Sequence, residues 1–280
     1  MLCKTAPPMN VLPSRPWAAL PAVDAAAVCG VLTDIDDTLT RDGAITPDAL
    51  GALYDLRRAA LPVIAITGRP MGWSERFARD WPIAAIVAEN GAVALFRDGD
   101  ELRVEYAQDA PTRERNAQCL REVAERVLRE VPGTALSRDS GGRVTDIAID
   151  HSEFAHLTPQ QVAEVLRVMH AQGMHATVSS IHVNGWYGEH TKLTGARWIV
   201  QRLLGRDVDA ELAQWVYVGD STNDQLMFGH FPLSVGVANL LRFADELTVW
   251  PAYVTRGERG EGFAEVAASL VAARSAARAC

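Results

Sequence analysis

A chain of 280 residues, 48% hydrophobic and 22% charged, can bury a substantial core, and this composition excludes a mostly disordered protein. Its formal net charge of −8 gives no support to nucleic-acid or anionic-membrane binding, and it has no run of about 18 apolar residues that could span a bilayer. Cys3, Cys29, Cys119 and Cys280 show neither a CxxC pair nor metal-ligand spacing, so reduced thiols in a cytoplasmic protein are expected.

Residues 1–24 carry Pro7, Pro8, Pro13, Pro16 and Pro21 and read as an extended or poorly ordered leader. Ala25 to Leu32 is small and apolar, as in a buried strand, and ends in the carboxylates of Asp34, Asp36 and Asp37. Thr46-Pro47-Asp48 is a helix start, with Thr as N-cap and Pro in the first helical position; the helix is expected to reach about Ala60. Pro62 to Ile66 reads as a strand ended by Thr67-Gly68-Arg69-Pro70, then comes a helix near Gly72 to Asp80. Ile83 to Ala88 reads as a third strand, ended by the Glu89-Asn90-Gly91 turn. Strand alternating with helix predicts a Rossmann-like, doubly wound parallel sheet of the α/β class.

The pattern changes after Arg97-Asp98-Gly99-Asp100, a polar turn read as a domain boundary. Residues 112–131 and the segment from Thr158-Pro159 to about Gly173 have helical apolar stripes; Arg143 to Asp150 and His175 to Asn184 alternate as strands. This α+β block ends at Gly185-Trp186-Tyr187-Gly188, where Trp186 and Tyr187 read as hinge packing. Thr191-Lys192 then starts a helix to about Leu204. Trp215 to Val218 is a buried strand ended by Gly219-Asp220-Ser221-Thr222-Asn223-Asp224. Leu233 to Val237 and Tyr253-Val254 read as strands and residues 262–275 as a closing helix. The expected organisation is an α/β core over 25–96 and 187–280, with 97–186 inserted as a cap.

In a parallel sheet the C-terminal strand ends share one edge, so Asp34, Asp36, Thr67, Asp220 and Asp224 can converge, joined by Lys192 from its helix start. The acids are hard oxygen ligands suited to Mg²⁺, while Lys192, Thr67 and the backbone after Thr67 are donors suited to a phosphoryl group. No His or Cys clusters with them, which disfavours zinc. His182 and Asn184 share the polar face of a cap strand and are expected to look into the cleft and contact the leaving group. Asn90-Gly91 is read as a turn and a possible substrate contact.

This ordered set resembles the haloacid dehalogenase superfamily of phosphohydrolases. The matching stretches are Asp34-Ile35-Asp36-Asp37-Thr38, Thr67-Gly68-Arg69, Lys192 and Gly219 to Asp224. The insertion between the second and third is similar to the C2-type cap of subfamily IIB, which holds Cof-type sugar phosphatases and sucrose-phosphate phosphatases. The resemblance implies Asp34 as nucleophile and Asp36 as general acid and base. It implies Mg²⁺ at Asp34, the Asp36 carbonyl and Asp220, with Asp224 close by or acting through water or Lys192. Lys192 and Thr67 would stabilise the transferring phosphoryl group. Substrate contacts are expected from Thr67, Gly68, Arg69, Asn90, His182, Asn184, Lys192 and Asn223. Asp37, where the family often has Gly, has no assigned role. The implied activity is Mg²⁺-dependent hydrolysis of a small phosphorylated metabolite, foremost a sugar phosphate, by a monomer or homodimer. A phosphotransferase or mutase, or an inactive sugar-phosphate sensor, are the competing readings; dehalogenation would not explain Asp36 together with Asp220 and Asp224.

Overall fold

A computed structural model describes residues 14–279. Nine strands form one sheet in the order β1-β15-β14-β13-β2-β5-β6-β7-β8. In chain order the elements up to the insertion are β1 (Arg15–Pro16), α1 (Ala22–Ala27), β2 (Gly30–Thr33), β3 (Thr40–Arg41), β4 (Ala44–Ile45), α2 (Pro47–Arg58), β5 (Val63–Ile66), α3 (Met71–Asp80), β6 (Ala85–Ala88), β7 (Val93–Asp98) and β8 (Glu101–Tyr106). The inserted block holds α4 (Ala110–Glu130), β9 (Ala135–Leu136), β10 (Asp146–Asp150), α5 (Pro159–Ala171), β11 (His175–Val178) and β12 (His182–Trp186). The chain closes with α6 (Lys192–Leu204), β13 (Trp215–Gly219), α7 (Gln225–His230), β14 (Leu233–Gly236), β15 (Tyr253–Val254) and α8 (Arg259–Ala279).

Strands from β1 to β6 pair in parallel, and only the β6–β7 and β7–β8 ladders are antiparallel. Side chains of α2 and α8 (Leu53, Leu56, Phe263, Val266, Leu270) bury one face of the sheet. Those of α6 and α7 (Ile199, Val200, Met227, Phe228) bury the other. Both faces being covered explains why β2, β5, β6 and β13 read as unbroken apolar runs. Thr46 caps α2 by accepting from Ala49 N at 3.2 Å, as its sequence predicts. No helix among the described residues is long and apolar enough to cross a membrane.

In the inserted block, β11-β12-β10-β9 form an antiparallel sheet. Helices α4 and α5 cover one face through Leu120, Val123, Val127, Val165 and Met169. The other face carries Asp146, His182 and Asn184 and turns toward the α/β core.

Four expectations change. The leader is structured from Ser14: β1 pairs with β15, and Trp17 is 2% exposed, while residues 1–13 of the expected leader lie outside the described residues. The strand expected from Ala25 starts only at Gly30, because Ala22–Ala27 forms a helical turn and a half. The polar turn at Arg97 to Asp100 is a hairpin inside the large sheet, so the insertion begins after Tyr106 rather than at 97. The alternation from His175 to Asn184 is two strands, because the Ser179 hydroxyl accepts from Ile181 N and His182 N and turns the chain without Gly or Pro.

Candidate active site

Strand β2 lies between β13 and β5, and Asp34 N donates to Val218 O at 2.8 Å, extending the ladder one residue beyond the strand. This sets Asp34 beside the loop that follows β13. Lys192 opens α6, whose first turn is fixed by a reciprocal Thr191–Thr194 capping box. Its Nζ donates to Asp34 Oδ1 at 2.6 Å and Asp224 Oδ1 at 2.7 Å. Asp224 Oδ1 also accepts from the Tyr217 hydroxyl, and Asp224 Oδ2 accepts from Asp220 N and Ser221 N at 2.9 and 3.2 Å. Asp224 therefore ties the loop together and orients Lys192, with both oxygens engaged. Gly219 makes room for this: a Cβ there would lie 2.5 Å from Asp224 Oδ2.

One carboxylate oxygen from each of Asp34, Asp220 and Asp224 lies within 4.8 Å of the others. Their exposures are 4%, 0% and 0%. Burial first, then the neighbouring acids, push Asp34 up to about 8 and Asp220 well above the carboxylate range, with Lys192 opposing. The same acids outweigh the burial that disfavours the Lys192 ammonium and raise its pKa. Asp220 Oδ1 is buried without a hydrogen-bond partner, and Asp220 Oδ2 accepts from Asn239 Nδ2 at 3.2 Å. An unpaired buried oxygen among hard carboxylates with too little positive charge fits a Mg²⁺-type ion.

Thr67, fully buried after β5, accepts from Arg69 N through Oγ1 at 3.0 Å. The Arg69 guanidinium, expected to meet substrate, lines the cleft and meets three carboxylates. Nε and Nη2 close on Asp36 at 2.9 and 3.0 Å, Nη1 reaches Asp139 at 3.1 Å and Nη2 reaches Glu153 at 2.9 Å. His182 Nε2 is 3.0 Å from Glu153 Oε2, and Asn184 Nδ2 donates to Gly68 O at 3.3 Å and to Asp146 at 3.2 Å. Asn90, at φ 56° and 2% exposed, has an unpartnered Nδ2. A narrow cleft of about 10 Å³ is lined by Asp34, Asp36, Gly68, His182, Asn184 and Asn223. On its Asp36 side a cavity of about 320 Å³ is walled by Asp37, Ser152, Phe154, Ser180 and Arg242; a second, of about 310 Å³, is lined by Asn90, Trp186, Lys192, Asn223 and Leu226.

Asp37 acquires a structural account. At φ 55°, it accepts from Arg259 Nε at 2.7 Å and Arg242 Nη2 at 3.2 Å, and its carbonyl accepts from Asn239 Nδ2 at 3.0 Å. It pins the turn after β2 to the start of α8. Sequence reasoning missed Tyr217, Asn239, Glu89, Asp139 and Glu153. Asn239 carried a usable signal, being a polar residue just past an apolar strand; Tyr217 is hidden inside one. Glu89, fully buried, accepts from Met71 N in the core and from Val144 N and Thr145 N in the insertion.

Residues 31–125 match the sequence profile of the family described as haloacid dehalogenase-like hydrolase. No curated protein matches the chain. Among solved structures, a Thermoplasma acidophilum protein is similar at a TM-score of 0.67 and 16% identity, over 87% of this chain and 98% of that one. The Synechocystis sucrose-phosphatase, solved with sucrose and phosphate, is similar at 0.62 and 16%, over 87% and 98%. The C-terminal domain of the C. albicans trehalose-6-phosphate phosphatase is similar at 0.61 and 14%, over 90% and 95%. The sequence match covers the strand that ends in Asp34 and the loop that carries Thr67, and the fold around it is similar to those solved structures along the chain.

Proposed function

We propose that this chain is a Mg²⁺-dependent phosphatase of a small phosphorylated metabolite, most simply a sugar phosphate. The observation that carries the reading is the Lys192 ammonium held between Asp34 and Asp224 at the base of the cleft, beside an Asp220 oxygen with no partner. Asp34 attacks phosphorus through a carboxylate oxygen, and the bond from phosphorus to the leaving oxygen breaks. Asp36 gives its proton to that oxygen, so an alcohol departs. Water then attacks the aspartyl-phosphate, its proton returns to Asp36, and phosphate leaves with the Asp34 carboxylate restored. Lys192 and the Thr67 hydroxyl stabilise the oxygens of the transferring group. Asp34, the Asp36 carbonyl and Asp220 would hold Mg²⁺, which when bound offsets the repulsion between an anionic nucleophile and an anionic phosphate.

The sugar-phosphate reading draws support from the cavity beside Asp36. Its walls mix hydroxyls (Ser152, Ser180), carboxylates (Asp37, Glu153) and guanidiniums (Arg242, Arg259), with the half-exposed Phe154 ring among them. Mixed donors and acceptors of both signs suit a neutral polyol leaving group better than a second anion. Two of the similar structures are a sucrose-phosphatase and a trehalose-6-phosphate phosphatase.

The test is phosphate release over a panel of phosphorylated sugars, nucleotides and cofactors with Mg²⁺, using Asp34→Asn as the blank. Release from sugar phosphates that vanishes in the variant is the expected result. Equal release by the variant, or none from any member of the panel, would overturn the reading.

A further inference from the structure

Arg69 sits in the seam between core and cap, 5% exposed, its guanidinium 5.2 Å from the centre of the Trp73 ring. A guanidinium offers five N–H donors in a rigid planar fork. Here the fork is divided: one edge takes Asp36 from the core side-on, and the remaining donors take Asp139 and Glu153 from the cap. Among the described residues, Arg69 supplies every side-chain hydrogen bond that Asp36 receives. The cap partners are themselves held. Ser137 Oγ donates to Asp139 Oδ1 at 2.6 Å, Arg143 Nη2 donates to the same atom at 3.1 Å, and His182 meets Glu153 at 3.0 Å. Opposing the cost of their burial, these donors hold the Asp139 and Glu153 carboxyls at about 2.

A buried cation is stable only when charge and hydrogen bonds around it are complete. With the cap seated, three carboxylates complete the fork. With the cap lifted, Arg69 loses two of the three, and only Asp36 itself and the face of the Trp73 ring remain against its fork on the core side. The docking of the cap has a separate fastening. Glu89 accepts from Val144 N and Thr145 N, and Arg143 Nη1 donates to Gly68 O at 2.9 Å. The Arg69 cluster can therefore fail without the cap coming away.

We infer that Arg69 is a positioning residue through which the cap carboxylates Asp139 and Glu153 fix Asp36 in the cleft, so that proton delivery to the leaving oxygen requires the seated cap. This rests on the reading of Asp36 as the proton donor. It assigns Arg69 to the acid rather than to the substrate, and it gives two cap residues that touch no reacting atom a part in the chemistry.

The test separates acid positioning from general damage by the leaving group. Phenyl phosphate needs its departing oxygen protonated; p-nitrophenyl phosphate, of nearly the same shape, does not. For Asp139→Asn/Glu153→Gln, turnover of phenyl phosphate is expected to fall about a hundredfold, the scale of lost general-acid catalysis, with p-nitrophenyl phosphate falling only a few-fold. Should the double variant fold poorly, Glu153→Gln alone, at a partly exposed side chain, carries the same signature at smaller size. Equal losses on both phosphates, or no loss on either, would overturn the inference while leaving a working phosphatase. Wild-type protein that hydrolyses neither would overturn the phosphatase reading and this inference with it.

Discussion

His190 lies where the chain passes from cap back to core, 6% exposed, its ring 5.6 Å from that of Trp186, whose Nε1 donates to the His190 carbonyl at 2.9 Å. Neither ring nitrogen has a hydrogen-bond partner among the described residues. Burial, with His175 adding to it, lowers its pKa from 6.5 to about 4. The sign follows from linkage. The folded state binds this proton less tightly than the unfolded state, so the stabilisation is complete above about 6.5 and is lost as pH falls from there toward about 4. His190→Phe keeps an aromatic ring against Trp186 and removes the titration. Urea unfolding followed from pH 7 to pH 5 should show a stability loss in wild type that is shallower in the variant. Identical slopes in both proteins would count against a buried neutral histidine here.

At the scale of elements, the first strand is the clearest gain over the sequence. Ser14 Oγ donates to Pro251 O, β1 pairs with Tyr253–Val254, and Trp17 Nε1 donates to Ser269 Oγ at 2.7 Å on α8. Trp17 also meets the Tyr253 ring edge-on at 5.6 Å. Trp17→Ala should therefore cost about 3–5 kcal/mol, as large-to-small core changes do, and a chemical melt would read it. A leader with no packing role would give a change near zero. The proline-rich run concealed this strand because two residues carry no periodicity and the pairing partner lies 238 positions away. The parallel core was legible for the opposite reason. Each of β2, β5, β6 and β13 is an apolar run ended by a polar cluster, and both ladders and ligand sites obey that one rule. Asp34, Thr67, Lys192, Asp220 and Asp224 could be found for the same reason, since each begins where a strand or loop gives way to the next element. The partners of Arg69 could not. Asp139 and Glu153 sit on cap loops 70 and 84 residues onward, where charge has no periodic meaning until the cap is folded over the core. Glu89 was overlooked because the neighbouring Asn-Gly already accounted for a turn; its positive φ of 50° and its grip on the cap are tertiary facts.

At the scale of the whole molecule, the acid cluster concentrates buried carboxylates at the centre of the fold. Asp34, Asp220 and Asp224, at most 4% exposed, stand against the ammonium of Lys192, with the half-exposed Arg242 guanidinium 3.8 Å from Asp220 Oδ2. Burial first, and then the neighbouring acids, disfavour the charged forms here and raise the pKa values of Asp34 and Asp220. The strain falls on β2, β13 and the start of α6, which lie at the centre of the large sheet and of its covering layer, so relieving it should stabilise the molecule globally. A ligand bound only by the folded state at a hundred times its Kd adds about 2.7 kcal/mol. For a chain of this size that is roughly 5–10 °C in Tm. Thermal melts with rising Mg²⁺ and no substrate should show this shift. Asp220→Asn supplies the control from the same argument. It keeps the size of the side chain and its contact with Asn239 while removing one buried acid from the cluster. The variant should melt at or above the metal-free wild type and should no longer respond to Mg²⁺. A wild type indifferent to the ion, or a variant that responds as wild type does, would show that the three carboxylates are balanced by the fold itself and that the cluster is not a cation site.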